Sequence, residues 1–120
     1  MSDTTQTVQS YIAMWNETDA DERRELVAQT VTEDASYLDP VMAGAGIDGI
    51  SEMIGGAQQQ FPGHRFELAF GPDVHHDHAR FAWRLLAPNG GGTVVGGVDF
   101  AALAEDGRMR TVTGFLEPTG

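Results

Sequence analysis

The 120-residue chain contains neither cysteine nor lysine. Without a thiol there is no disulfide, no thiolate nucleophile and no cysteine-ligated zinc. Without an amine side chain there is no Schiff-base chemistry and no phosphate-loop lysine. Long apolar runs are missing as well, and no stretch reaches the length that spans a bilayer. Cations are scarce: seven basic residues, all arginine, stand against 18 Asp plus Glu, for a formal charge of −11. A field of that sign repels phosphate backbones and anionic lipid, so neither nucleic acid nor a membrane surface is an expected partner. The opening Met-Ser-Asp-Thr-Thr has neither the basic nor the apolar region of a secretory signal, and a cytoplasmic location is expected. The chemistry left to the chain is that of carboxylates, histidines, hydroxyls and phenols.

Apolar residues make up 41% of the sequence, which excludes a disordered chain despite its 15 glycines. The length fits one domain over residues 1–120. Val8, Tyr11, Ile12 and Trp15 recur at helical spacing and predict a helix over 5–16. Asp19 followed by Glu22 resembles a capping box and opens a second helix near 20–31, with Leu26, Val27 and Val31 inward. A short strand over 35–39 must stop at Pro40, because the residue before a proline is held extended. A glycine-bearing loop over 42–46 leads to a third helix near 48–60, buried through Ile47, Ile50, Met53, Ile54 and Ala57 and weakened by Gly55-Gly56. After Pro62-Gly63 the period changes from 3.6 to 2, predicting strands over 65–70, 79–87, 93–103 and 109–117. Gly71-Pro72-Asp73, the stretch 88–92 and Glu105-Asp106-Gly107 read as hairpin connections between them. Helices first and strands afterwards predict an α+β domain with a mostly antiparallel sheet.

Three segments resemble the ketosteroid isomerases. The stretch 8–16, Val-Gln-Ser-Tyr-Ile-Ala-Met-Trp-Asn, is similar to their first helix. Asp34-Ala35-Ser36-Tyr37-Leu38-Asp39-Pro40-Val41 is similar to their Asp-Ala-x-x-x-Asp-Pro-Val segment. Gly97-Val98-Asp99-Phe100 resembles the late strand that carries their second aspartate. The resemblance implies the cone-shaped nuclear transport factor 2-like fold, three helices on a curved sheet that encloses a pocket. It implies Asp39 as general base, Tyr11 as oxyanion-binding phenol and Asp99 as a neutral carboxylic acid doing the same work. It also implies pairing of two copies through the outer sheet face. A further family tyrosine on the third helix is replaced here by Ile54. The Trp83-Arg84 pair departs from the isomerases and looks more like the SnoaL-like polyketide cyclases. The limonene-epoxide-hydrolase pattern fits worse, since the last strand reads Thr113-Gly114-Phe115-Leu116 where that pattern has an aspartate.

Each candidate has an ordinary reading beside the functional one. An aspartate before a proline commonly begins a turn, which would account for Asp39. Tyr11 pairs with Trp15 at i, i+4 and fits a core aromatic equally well. Tyr37 shares the face of Asp39 and is a second candidate phenol. Asp99 sits inside a strand, where aspartate is disfavoured, on a face of small residues with Val95, Gly97 and Ala101. Arg84 is left open by the glycine-rich hairpin, because a one-residue slip exchanges the two faces of a strand. The inward arrangement, paired with Asp99, is the expected one, since Phe81, Trp83 and Leu85 suit a subunit interface. His75-x-Asp77 has the spacing of two ligands of an iron facial triad. It sits in what reads as a polar hairpin turn with no third ligand cluster, so no metal and no cofactor is expected.

The expectation is therefore a cofactor-independent acid/base enzyme acting on a small apolar carbonyl compound of steroid or polyketide type. The alternative is a non-catalytic module of the same fold that binds an apolar small molecule or assembles with a partner. Ile12, Trp15, Ile54, Phe66, Val112 and Leu116 are the expected walls of a cavity of roughly a few hundred Å³, with Tyr37 and Arg84 as further ligand contacts.

Overall fold

The structure, a computed structural model, describes residues 4–117; the opening Met-Ser-Asp lies outside them. Helix α1 (Thr4–Asn16) buries Val8, Tyr11, Met14 and Trp15, while Ile12 of the expected stripe is only partly buried. Helix α2 (Ala20–Thr30) is opened by Asp19, whose carboxylate accepts from the backbone N–H groups of Asp21 and Glu22. The backbone N–H of Asp19 itself donates to Glu17, two residues upstream, where a capping box would use Glu22. Helix α3 (Gly46–Gln60) buries Ile50, Ser51, Ile54 and Ala57.

Strands β1 (Val31–Leu38), β2 (Ala43–Ala45), β3 (Arg65–His75), β4 (His78–Leu86), β5 (Thr93–Leu103) and β6 (Met109–Leu116) form one sheet in the order β2-β1-β6-β5-β4-β3. All pairs are antiparallel except β1 with β6, so the sheet is mixed. Its inner face carries the three helices: α1 packs on α2 and β3, and α3 packs on β1. This is the α+β arrangement expected from the order of elements, in the cone shape that the resemblance implies. No helix among the described residues is long and apolar enough to cross a membrane.

Three boundaries differ from the sequence reading. The strand before Pro40 begins at Val31, so Val31 closes α2 and opens β1 at once. The loop expected over 42–46 holds the short strand β2, paired with the end of β1. Gly71-Pro72-Asp73 is no hairpin connection: β3 runs through it, and the turn lies at His76-Asp77. The register shifts between Leu68 and Phe70 and again before Asp73, and such bulges bend a strand and deepen the twist of its sheet. Gly71 stands at the second shift with φ 101°, and a Cβ there would lie 2.9 Å from the Arg80 carbonyl oxygen. Turn-forming residues here curve a strand without ending it.

Candidate active site

The cavity lies between the helices and the inner sheet face, with a volume of about 280 Å³. That is slightly below the usual range of small-molecule sites. Its walls are mostly apolar and include Ile12, Trp15, Phe66, Leu85 and Leu116. Tyr11, Tyr37, Asp39, Trp83 and Asp99 bring the polar groups that matter.

Local structure fixes each of them. The end of α1 is tied to β3 by Asn16, whose amide donates to the Phe66 carbonyl and accepts the Phe66 N–H, at 2.9 and 2.7 Å. This holds Tyr11 and Trp15 over the sheet. Asp99 is carried by β5 opposite Gly114 of β6, and only 2% of its surface is exposed. One of its oxygens, Oδ2, accepts from the Tyr11 hydroxyl at 2.8 Å; the other, Oδ1, accepts from the Trp83 indole N–H at 3.0 Å. Asp39 follows β1 and is half-buried. Its Oδ1 accepts the backbone N–H groups of Val41 and Met42, each at 2.8 Å, and its Oδ2 accepts the Tyr37 hydroxyl. The turn reading and the cavity reading of Asp39 therefore hold together.

Two glycines make the convergence possible. A Cβ at Gly114 would lie 2.8 Å from Asp99 Oδ1, 3.2 Å from Asp39 Cβ and 3.3 Å from the Tyr37 hydroxyl. Gly114 thus occupies the ground between the two aspartates. A Cβ at Gly97 would lie 2.4 Å from Trp83 Cζ2, so Gly97 is the seat of that indole.

The electrostatics of the two poles differ. Burial pushes the Asp99 carboxyl up to about 6; the hydrogen bonds from Trp83 and Tyr11 oppose the shift, and the Asp39 charge adds to it. Burial, with the Asp99 charge next, holds the Tyr11 hydroxyl well above the usual phenol range. The Trp15 indole nitrogen is buried with no hydrogen-bond partner among the described residues. Tyr37 is raised likewise, by burial first and then by the charge of Asp99.

The structure brings Tyr11, Trp15, Tyr37, Asp39, Phe66, Asp99 and Leu116 to one cavity. It does not bring the other three expected contacts there. Ile54 and Val112 are buried in the core, 0% and 4% exposed, and do not line the cavity. Arg84 is exposed on the outer face, across from Glu67 and Gly96, and not paired with Asp99. The reason is the apolar face it alternates with. Phe81, at 0% exposure, meets Tyr11 of α1; Leu85, at 2%, and Trp83 line the cavity on the same side. A guanidinium keeps its hydration on the outer side. Trp83, which lines the cavity and donates to Asp99, was not placed there by the sequence reading. Its signal was present, because an all-apolar strand face opposite helical stripes belongs to the core.

The histidines of the 75–78 segment are exposed at the β3–β4 turn, with His78 3.5 Å from Asp77. Among the described residues no three potential ligands are grouped as a metal site.

The SnoaL-like domain model matches residues 8–112. A crystal structure of a SnoaL-like family protein from Agrobacterium tumefaciens str. C58, provisionally assigned as an isomerase, is 46% identical. That match covers 98% of this chain and 100% of the other, with a TM-score of 0.91. A SnoaL-like protein from Jannaschia sp. CCS1, provisionally assigned as a polyketide cyclase, is 20% identical over 94% of this chain and 86% of its own, with a TM-score of 0.69. A nuclear transport factor 2-like protein of unknown function from Exiguobacterium sp. 255-15 is 17% identical over 94% and 99%, with a TM-score of 0.73. The last two show likeness of fold alone. No curated protein sequence matches the chain. With its cone of three helices on a six-stranded curved sheet, the chain belongs to the SnoaL-like domain family within the nuclear transport factor 2-like fold.

Proposed function

We propose that the protein is a cofactor-independent acid/base catalyst acting on a small, largely apolar carbonyl compound. One observation carries this reading: two carboxylates in contrasting surroundings face each other across Gly114 inside an otherwise apolar cavity. Paired ionisable groups with different environments can divide acid and base roles between them. Asp39, half-buried near solvent, takes a proton from the carbon beside the carbonyl. The electron pair moves to the carbonyl oxygen, and the Tyr11–Asp99 pole receives the charge that develops there. Asp39 then returns the proton to a second carbon; in a cyclisation the enolate carbon instead bonds to an internal carbonyl carbon, whose C=O π bond becomes an alkoxide that takes up the proton from Asp39.

The test is Asp39→Asn with a panel of cyclic β,γ-unsaturated ketones, whose conversion to the conjugated isomer raises ultraviolet absorbance. The amide can still accept the Val41 and Met42 N–H groups, so the fold should persist. Turnover should fall by about 10²–10⁴-fold, the usual range for a positioned base. Equal turnover in both proteins removes Asp39 from the mechanism. Binding of the ketones without conversion by either protein favours the binding-module alternative.

We further propose a second copy of the chain as partner on the outer sheet face. Phe70, Phe100 and Phe115 are exposed there by 58%, 45% and 54%, and the last two rings meet edge to face. Arg80 and Arg84 balance Asp73 and Glu67 on this face, so two copies can approach despite a net charge of −11 each. Phe100→Asp should convert a dimer to a monomer in sedimentation; a monomeric parent protein refutes the pairing.

A further inference from the structure

Trp83 donates to one oxygen of Asp99 and Tyr11 to the other, and these two donors are not equivalent. An indole N–H can only donate, whereas a phenol can donate or accept. Oδ1, held by Trp83, must therefore remain an acceptor whatever the charge on the carboxyl. When Asp99 takes up a proton, the free place for it is Oδ2, 2.8 Å from the Tyr11 oxygen. A carboxylic acid is a far stronger acid than a phenol, and its hydroxyl oxygen is a poor acceptor. The shared hydrogen bond then reverses: Asp99 donates and Tyr11 accepts. The Tyr11 hydroxyl hydrogen must turn elsewhere, and the open space along Tyr11 is the cavity it lines.

We propose that Trp83 is a positioning residue that keeps the proton of neutral Asp99 on the oxygen facing Tyr11, so that Tyr11 is the donor offered to a ligand oxygen and Asp99 acts through it. The inference deepens the acid/base reading above by assigning the acceptor pole of the site. It departs from the expectation that Asp99 donates directly. The ionised form of Asp99 withdraws the donor, because the Tyr11 hydrogen is then held by Oδ2. The titratable groups that bear on Asp99 are Tyr11 on α1 and Asp39 beyond the end of β1, and Tyr37 on β1 feels its charge in turn. The neighbouring strands β4 and β6 present Trp83 and Gly114, neither of which titrates. A ligand suited to such a pole carries an acceptor oxygen, a ketone or an enolate, and is held best when the carboxyl behind Tyr11 is protonated.

The test uses the ligand-free protein and is independent of turnover. The chain has two tyrosines and two tryptophans, so tyrosine labelled with carbon-13 at the ring carbon bearing the hydroxyl gives two resonances, and Tyr11→Phe assigns them. Aspartate carboxyl labelling follows Asp99 in the same titration. The Tyr11 resonance should shift with the same midpoint as the Asp99 carboxyl, because its hydroxyl changes from donor to acceptor there. In Trp83→Phe the Asp99 midpoint should rise, since its carboxylate has lost a donor. The Tyr11 response should shrink, since the proton can then occupy either oxygen. A Tyr11 resonance that stays silent through the Asp99 titration of the unaltered protein overturns the proposal. So does a Trp83→Phe titration superimposable on the parent. Both results leave the Asp39 assignment standing, which has its own assay.

Discussion

Arg23 and Asp99 are the two charged side chains buried among the described residues, 8% and 2% exposed, and the structure treats them in opposite ways. Arg23 lies among the helices without a carboxylate. Its Nε donates to the carbonyl and the hydroxyl of Ser51, and its Nη1 to the Glu17 carbonyl and the Gln58 side chain. The Gln58 amide in turn donates to the Trp15 and Glu17 carbonyls. A guanidinium cannot shed its proton, so acceptors must be supplied. The Glu17 carbonyl, just past the C-terminal end of α1, supplies one of them, where the helix dipole suits a cation. Gly55 belongs to the same arrangement, since a Cβ there would lie 2.8 Å from Arg23 Nη2. Asp99 receives two donors and remains under-solvated, and unlike Arg23 it can discharge itself by binding a proton. A buried charge that is well supplied with partners locks elements together. One that is supplied sparingly stays able to titrate, and titration is what a catalytic pole needs.

The sharpest way to break this contrast is Arg23→Leu, which leaves the Ser51, Glu17 and Gln58 acceptors without their donor. We expect a loss of about 3–5 kcal/mol in urea unfolding, with little change between about pH 5 and pH 8. A loss below about 1 kcal/mol would mean that water replaces the guanidinium freely.

Asp99→Asn should act with the opposite sign. Burial lifts the folded carboxyl from 3.8, the ordinary aspartate value, to about 6. Between these values the folded state binds more protons than the unfolded one, so this residue makes stability fall as pH rises. The neutral amide lacks that dependence. The variant should match the parent below about pH 4 and exceed it by about 3 kcal/mol near pH 7, from roughly 1.4 kcal/mol per pH unit. Parallel unfolding curves at all pH values would show that Asp99 is not raised.

Arg84→Ala gives the smallest effect. An exposed arginine on the outer face should change stability by less than about 0.5 kcal/mol and leave the Asp99 titration where it is. A guanidinium beside that carboxylate would instead lower its pKa by about 1–3 units, so deletion would raise the midpoint. A rise would restore the inward arrangement expected from the sequence.

The three helices and the four late strands were legible because burial writes periods of 3.6 and 2 into the chain. Asp39, Tyr11 and Asp99 could be placed near a pocket from short resemblances, and they do line one cavity. What failed was finer. Ile54 and Val112 lie on genuinely buried faces, but a stripe says that a residue is covered, not whether protein or cavity covers it. The direction of Arg84 and Trp83 depended on a single step of register, and a local β pattern contains both answers. Gly71-Pro72-Asp73 has the composition of a turn and serves as a bulge, because pairing of β3 with β4 continues on both sides. The role of Gly114 was invisible, since what it makes room for comes from strands far apart in sequence.

Both tryptophans of the chain, Trp15 and Trp83, line the cavity. The whole intrinsic indole fluorescence of the protein therefore originates at the candidate site. Quenching or a spectral shift on addition of a small molecule reports an event there, and no label is needed to see it. A library of carbonyl compounds can be screened on the unmodified chain in a fluorimeter, long before any product is known.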